Sequence, residues 1–143
     1  MTKQNRIRRS SCPISYVLDI FGDKWTLLVV RDLAFSRKRY FRDFLASSEK
    51  IASNILSDRL KTLAASGIVS RRPDPANARK IIYELTEKGE DLIPALLELG
   101  LWGAKHDAET GAPKHYIRWI ERDREGLTAK IKSSLKAERA RKI

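Results

Sequence analysis

Cysteine is nearly absent from this sequence, which contains one in 143 residues. A single cysteine excludes an internal disulfide framework and is typical of compartments where thiols stay reduced, so we expect a cytoplasmic protein. No apolar run approaches the ~20 residues that a transmembrane helix needs. The basic N-terminus is not followed by the apolar segment that a secretory signal contains. These absences argue against a membrane or secreted protein.

Residues that commonly perform catalysis or bind metals are also scarce. The two histidines, His106 and His115, flank a predicted break between helices and are expected at the surface, and with one cysteine they make a weak metal site. The sequence contains no glycine-rich phosphate loop, no Ser-His-Asp set and no paired carboxylates at a useful spacing. We therefore expect no enzymatic activity, no metal and no cofactor.

Negative charge is in deficit. Twenty-nine Lys+Arg residues face eighteen Asp+Glu residues, which gives a formal net charge of +11. Such an excess indicates an acidic partner, most often nucleic acid and less often an anionic membrane surface. The isolated acids near the first helices are expected to form ion pairs with neighbouring cations; they are Asp19, Asp23 and Asp32.

The pattern of apolar residues divides the chain into three parts. Residues 1–11 are predicted to be a disordered basic arm, residues 12–106 a folded domain, and residues 107–143 a basic helical extension with one helix over 114–142. Pro13 suits the first position of a helix. The apolar side of that helix would consist of Val17, Leu18, Ile20 and Phe21. The next helix, from Trp25 to Leu33, is apolar most of the way round and is predicted to be the core helix.

The stretch from Ala52 to Arg72, ASNILSDRLKTLAASGIVSRR, predicts an amphipathic helix that ends near Gly67 and leads into a strand. The strands IVSRR and RKIIYELT, joined by the turn-forming link PDPANA, predict a β-hairpin. Thr86 suits the N-cap of a following helix, and Pro94 then implies either a kinked helix or two abutting segments. The fold class is mainly α with a small β-hairpin wing: a winged helix-turn-helix with extra N- and C-terminal helices.

The amphipathic helix carries short polar side chains on its exposed face: Ser53, Asn54, Ser57 and Lys61. Asparagine can bond adenine through two hydrogen bonds, and short side chains allow a helix to enter the major groove of DNA. The alternative is a solvated surface face. Arg59 lies toward the apolar side and should pair with a carboxylate or reach a flanking phosphate.

The predicted hairpin and the preceding segment supply further candidate DNA contacts. The hairpin candidates are Arg71, Arg72, Asn77, Arg79 and Lys80, which suit a wing that reaches the neighbouring groove or backbone. The alternative is a hairpin whose charges only protect its edge. The segment RKRYFR adds phosphate-clamping candidates before the recognition helix: Lys38, Arg39 and Arg42.

Cys12 precedes the first helix and lies close in sequence to Arg8 and Arg9. A thiol in such a position can be reactive. The alternative is a small buried apolar residue, because free cysteines are often buried.

The segment CPISYVLDIFGDKWTLLVVRDL strongly resembles the opening of the HxlR-type bacterial transcriptional regulators. The characteristic positions are Cys12, Pro13, Gly22, Lys24, Trp25, Arg31, Asp32 and Leu33. IASNILSDRLKTLAASGIVSRR resembles the recognition-helix segment of that family and YELTEKGEDLIPALLELGLWG its post-wing helix, so the resemblance covers about residues 12–106. Ser36 departs from the glycine that many relatives have, and residues 107–143 extend past the usual end.

The resemblance implies a homodimeric regulator that binds double-stranded DNA. The first and post-wing helices commonly form the dimer interface in this family, which agrees with apolar surface that a small monomer would hardly expose. We expected that surface around Leu92, Leu96, Leu97, Leu99, Leu101 and Trp102. In several members the cysteine at the position of Cys12 senses oxidants or electrophiles, so redox sensing through Cys12 becomes a hypothesis.

Two alternatives remain open from the sequence. The first is a general nucleic-acid-binding protein, of nucleoid or RNA-binding type, which the basic extension would suit. The second is a regulator controlled by a small-molecule inducer that binds between the dimer helices near Trp25 and Trp102.

Overall fold

Eight helices and one two-stranded antiparallel sheet form the part of the chain that the computed structural model describes, residues 8–140. In chain order they are α1 (Pro13–Phe21), α2 (Thr26–Phe35), α3 (Phe41–Leu45), α4 (Ser53–Ala65), β1 (Val69–Asp74), β2 (Asn77–Leu85), α5 (Glu87–Glu90), α6 (Ile93–His106), α7 (Lys114–Arg122) and α8 (Arg124–Ala140). Most of the predicted basic arm, residues 1–7, lies outside the described residues.

Helix α2 occupies the centre of the core, as its all-round apolar pattern predicts. Val30 is fully buried and Leu33 nearly so, and they belong to one cluster with Phe44 of α3 and Leu56 of α4. The predicted apolar side of α1 was only partly right. Ile20 is buried, but Val17 and Leu18 are 43% and 51% exposed, so α1 presents much of its apolar surface outward.

Helix α4 leads directly into the hairpin. Gly67 adopts a φ of +74°, a left-handed conformation that glycine reaches without strain, and its neighbour Ile68 donates its N–H to the carbonyl of Leu63. Strands β1 and β2 then pair from Val69 opposite Leu85 outward. The recognition-type helix and the wing therefore share one continuous stretch of chain.

The hairpin link is shorter than predicted. The sequence predicts PDPANA as a loop, but Asp74, the last residue of β1, pairs with Asn77, the first residue of β2, so that only Pro75 and Ala76 form the turn. The carboxylate of Asp74 accepts a hydrogen bond from the N–H of Ala76 and so stabilises the tight turn. The five elements α2 to β2 complete a winged helix-turn-helix, and the predicted fold class is confirmed.

The chain after the wing forms two abutting helices, which is one of the two alternatives that Pro94 allows. Thr86 caps α5 by accepting a hydrogen bond from Gly89 N–H, as predicted. Pro94 lies in the first turn of α6, where its missing N–H has no partner to lose. Helix α6 runs on to His106.

The extension forms two helices and not the single helix that was predicted for residues 114–142. The break is at Asp123, whose backbone leaves the helical region and whose carboxylate caps α8 by accepting the N–H of Gly126. Helix α8 then packs onto the domain through Leu127, Ile131 and Leu135, all buried in the core cluster. Within residues 8–140, no helix combines the length and apolarity that crossing a membrane requires.

Candidate nucleic-acid interface

The outward face of α4 is built as the sequence predicts. Ser53, Asn54 and Lys61 are exposed and Ser57 is half-buried. The opposite face is buried in the core; its members are Leu56, Leu60 and Leu63. Ala52 precedes the helix and provides no side-chain cap. The first-turn N–H groups and the positive end of the helix dipole are therefore available to an anion.

Arg59 anchors α4 to the start of α2. Its Nε lies 3.1 Å from Oδ2 of Asp23, in a geometry that gives an ion pair without a hydrogen bond. Asp23 also accepts hydrogen bonds from the Thr26 hydroxyl and from the N–H groups of Trp25 and Thr26. Burial alone would raise the pKa of Asp23, but these hydrogen bonds and the charge of Arg59 together lower the pKa below its ordinary value. The expected pairing of Arg59 with a carboxylate is confirmed.

The loop that leads into α4 is held by a fork between Arg31 and Glu49. Two guanidinium nitrogens of Arg31 donate to the two carboxylate oxygens of Glu49 at 2.7 and 2.9 Å. These hydrogen bonds lower the pKa of Glu49 to about 2 and raise the pKa of Arg31. Arg31 also contacts Asp32, so the fork connects the loop before α4 to the core helix.

The cations in and just before α3 occupy three different environments. Lys38 donates a 2.6 Å hydrogen bond to the Ser47 hydroxyl and lies 3.5 Å from a carboxylate oxygen of Asp32. Arg39 pairs with Glu138 of α8 at 2.5 Å, and its Nη1 is buried without a hydrogen-bond partner among the described residues. Arg42 is exposed. The phosphate contacts predicted for Lys38 and Arg39 remain predictions, and both cations are already neutralised inside the protein.

The wing cations also differ in whether a carboxylate pairs with them. Arg72 pairs across the hairpin with Glu84 at 2.7 Å, and this hydrogen bond raises the pKa of Arg72. Arg71 lies over the ring of Tyr83, 5.7 Å from its centroid, and is exposed. Arg79 is also exposed, and its N–H donates to Oδ1 of Asn77 at the start of β2. The wing therefore presents Arg71 and Arg79 outward while Arg72 is paired.

A groove forms where α3 meets the wing. It has a volume of about 320 Å³ and collects three cations from two separate elements: Arg42 from α3, and Arg79 and Lys80 from β2. The ring of Tyr40 forms one wall, with Lys80 Nζ 5.2 Å from its centroid. We call this the wing groove. Folding therefore brings Arg42 next to Arg79 and Lys80, which lie almost forty positions later in the sequence.

Tyr40 has a role in this site that sequence reasoning did not predict. Its hydroxyl donates a 2.6 Å hydrogen bond to the carboxylate of Asp74 at the tip end of β1. This hydrogen bond raises the pKa of Tyr40 and lowers the pKa of Asp74. The contact fixes the wing relative to α3. A tyrosine within a basic segment was the only available signal, because the partner lies 34 residues away.

Six large apolar side chains are exposed within residues 8–140, and all of them lie on α1 or α6. They are Ile14, Tyr16, Val17, Leu18, Leu99 and Trp102, which we call the apolar patch. The prediction of exposed apolar side chains around α6 was right for Leu99 and Trp102. It was wrong for Leu96 and Leu97, which are buried against the extension and the rest of the core, while Leu92 and Leu101 are half-buried.

Cys12 is exposed at the start of α1 and next to the apolar patch. The alternative of a small buried residue is therefore wrong. Its N–H donates to the hydroxyl of Ser10, and its carbonyl accepts the N–H of Tyr16 in the first turn of the helix. The predicted ion pairs of the nearby acids are present: Asp19 pairs with Arg9 at 2.9 Å. No group of three or more metal-ligating side chains occurs among residues 8–140.

Comparison with known proteins identifies the domain that carries this interface. The sequence profile described as HxlR-like helix-turn-helix matches residues 20–110. The HTH-type transcriptional regulator BH0655 of Halalkalibacterium halodurans is 35% identical over 94 residues, which cover 66% of this chain and 83% of that protein. The family match ends before α7, so the two extension helices lie outside it.

Two solved structures are similar in both fold and sequence. The redox regulator HypR in its oxidized form is 32% identical, with a TM-score of 0.58, over 66% of this chain and 96% of HypR. The reduced form of the transcriptional regulator YodB from B. subtilis is 28% identical, with a TM-score of 0.55, over 67% of this chain and 94% of YodB. The matched proteins are regulators and not enzymes.

Proposed function

The chain belongs to the HxlR-like helix-turn-helix family of transcriptional regulators, and on that premise we propose that it is a homodimer that binds a specific DNA operator. The observation that carries the proposal is the wing groove, where Arg42, Arg79 and Lys80 converge beside an aromatic wall. Three cations without a carboxylate among the groove's described residues suit a DNA phosphate.

In the proposed complex α4 enters the major groove. Asn54 offers the amide that bonds adenine, while Ser53 and Ser57 are short enough to let the helix approach the base edges. Lys61 lies about two helical turns after Asn54 and contacts the DNA backbone. The uncapped first turn of α4 adds N–H groups for a phosphate. Arg59 and the fork of Arg31 and Glu49 hold the helix in place without contacting DNA.

The wing supplies the salt-dependent part of the affinity in this proposal. Arg71, Arg79 and Lys80 contact the backbone beside the major groove, and Asn77 lies at the turn between the strands. Arg72, Lys38 and Arg39 can contact phosphates only while sharing their charge with Glu84, Asp32 and Glu138. We therefore assign the larger salt dependence to the unpaired cations.

The apolar patch supports the dimer. Six large exposed apolar side chains confined to the two helices α1 and α6 exceed what scattered surface residues usually provide. Both helices belong to the pair that the family resemblance assigns to the dimer interface. A two-fold dimer would place two α4 helices in successive major grooves, roughly 34–36 Å apart, on a pseudo-palindromic operator.

Binding-site selection followed by footprinting tests the proposal. Purified protein is incubated with a random duplex library, the recovered sequences are aligned, and the selected duplex is footprinted. We expect two half-sites about 10 bp apart, centre to centre, and a discrete protected region. A library that yields no enriched sequence, together with uniform protection of any duplex, contradicts the proposal and supports the general nucleic-acid-binding alternative.

We further propose that Cys12 makes the regulator responsive to oxidants. In this step two Cys12 thiols, one from each protomer, are oxidised to an intermolecular disulfide. The S–S bond forms as the O–O bond of hydrogen peroxide breaks, and the two electrons and two protons that the thiols lose reduce the peroxide to two water molecules. Exposure of the thiol beside the apolar patch and the similarity to a redox regulator support this step. Hydrogen peroxide should produce a covalent dimer on a non-reducing gel and change operator affinity, and Cys12→Ser should abolish both effects. An unchanged response in Cys12→Ser contradicts this role.

A further inference from the structure

A cleft of about 220 Å³ opens between the end of α2 and the two extension helices. Three aromatic side chains form its walls: Phe35 of α2, and Tyr116 and Trp119 of α7. We call it the extension cleft. It lies apart from α4, from the wing groove and from the apolar patch. Because α7 and α8 lie beyond the family match, the cleft belongs to the part of this protein that the family profile does not describe.

The aromatic walls suit a planar guest. The rings of Tyr116 and Trp119 are 6.1 Å apart, centroid to centroid, and inclined by 62°, so they form two sides of a corner. Phe35, Tyr116 and Trp119 are each half-buried, which leaves part of every ring facing the cleft. Flat apolar surfaces of this kind favour an aromatic ligand, because rings stack or meet edge to face.

The charged groups of the cleft are all positive. Arg37 and Lys130 lie at its rim, and Ser134 adds a hydroxyl donor. Lys130 Nζ lies 4.7 Å above the ring centroid of Trp119, which holds the ammonium over the aromatic wall. Among the described residues, no carboxylate lines the cleft and none pairs with Arg37 or Lys130. Two cations and a hydroxyl around an aromatic corner are groups that suit an anion.

We propose that the extension cleft binds a planar aromatic anion of one or two rings, with its rings against Tyr116 and Trp119 and its charged group between Arg37 and Lys130. The size sets the limit on the ligand. A volume of about 220 Å³ lies below the ~300 Å³ at which drug-sized pockets begin, which favours a ligand of one or two rings over a nucleotide or a long acyl chain. An arenecarboxylate is the simplest molecule with this shape and charge.

The position of Arg37 makes the cleft an effector site, a consequence that rests on the proposed DNA-binding function. Arg37 has a φ of +52°, a left-handed conformation that is strained for a residue other than glycine. It directly precedes Lys38 and Arg39 in the turn that leads to α3. A ligand that joins Arg37 to Lys130 connects this turn to α8, and any change in DNA affinity must be matched by an equal change in ligand affinity.

Direct titration tests the site without DNA, so its failure is distinguishable from failure of the DNA-binding proposal. The full chain is titrated with 2-naphthoate by calorimetry, with tryptophan fluorescence as a second signal. We expect saturable binding and at least about tenfold weaker binding of the neutral analogue 2-naphthalenemethanol, because the charge-assisted contacts are lost. Lys130→Met keeps an apolar stem over Trp119 and should also weaken naphthoate binding about tenfold.

Two control variants locate the site. Lys136→Met removes an exposed charge from the same helix outside the cleft and should leave the dissociation constant within about twofold. Arg118 lines a larger, separate cleft of about 730 Å³ between α6 and α7, so Arg118→Gln tests for binding there.

The proposal is overturned if naphthoate shows no saturable binding, if the neutral analogue binds equally well, or if Arg118→Gln weakens binding while Lys130→Met does not. If naphthoate binds but leaves operator affinity unchanged, the effector role is overturned.

Discussion

Leu127→Ala tests whether the extension is a structural part of the domain. Leu127 lies on α8, is 1% exposed and belongs to the same cluster as Val30 and Leu33 of the core helix. Replacing a buried leucine with alanine removes apolar contact and leaves a cavity, which costs about 3–5 kcal/mol in a well-packed core. A slope of about 2 kcal/mol per M of urea converts this loss into a midpoint lower by about 1.5–2.5 M.

Urea unfolding followed by far-UV circular dichroism measures the effect. The protein concentration must be equal for both variants, because the stability of a dimer depends on concentration. Lys136→Ala on the exposed side of α8 is the matched control and should change the free energy of unfolding by less than about 0.5 kcal/mol. If α8 were instead a solvated helix, Leu127→Ala would be neutral or slightly stabilising, since alanine has the higher helix propensity. A midpoint for Leu127→Ala equal to that of the control refutes the packing of α8 onto the core.

Three further predictions concern the contacts that position the interface. Glu49 has its pKa lowered to about 2 by Arg31, so the ion pair stabilises the fold above the ordinary glutamate pKa and its contribution is lost as the pH falls toward 2. Because the Glu49 side chain is 35% exposed, Glu49→Gln should cost only about 0.5–1 kcal/mol in urea unfolding at pH 7, and this cost should disappear as the pH falls through about 2. Leu18→Glu places a charge in the apolar patch and should convert the proposed dimer to a monomer in sedimentation equilibrium, and an unchanged mass would contradict the proposed interface. Tyr40→Phe removes the hydrogen bond to Asp74 and should raise the Asp74 pKa toward its ordinary value in an NMR titration, and an unchanged Asp74 pKa would contradict this contact.

Features set by local sequence were predictable. The spacing of leucines in α4, the glycine at position 67 and the cap at Thr86 act within a few residues, so the helix, its end and the next helix start follow from the sequence. The order of the elements followed from the same local patterns, and the family motifs agreed with it. The hairpin was predictable too, although its turn was placed too broadly because Asp74 and Asn77 are turn formers that here end the strands.

Features set by distant contacts were not predictable. Arg39 appeared free in the sequence, but its partner Glu138 lies 99 positions later on a helix that folds back over the domain. The pairing of Arg72 with Glu84 depends on the hairpin register, and the contact of Tyr40 with Asp74 depends on how the wing meets α3. Charge counts alone therefore overestimate the number of cations free to meet DNA.

The apolar surface illustrates the same limit. An amphipathic pattern shows which residues of a helix lie together, but not whether that face meets the core or a second chain. Leu96 and Leu97 proved to be buried, whereas Val17 and Leu18 of α1 are exposed. Only the packed structure separates core surface from interface surface.

The central claim is that α4 reads bases while the wing contacts phosphates. Operator and random-duplex affinities are measured for the wild-type protein, Asn54→Ala and Arg79→Ala over a series of salt concentrations. Asn54→Ala should lose about 1–3 kcal/mol on the operator and almost nothing on the random duplex. Arg79→Ala should weaken both and reduce the slope of log affinity against log salt by about 0.9. Equal losses on operator and random DNA for Asn54→Ala would contradict the assignment of α4 as the recognition helix.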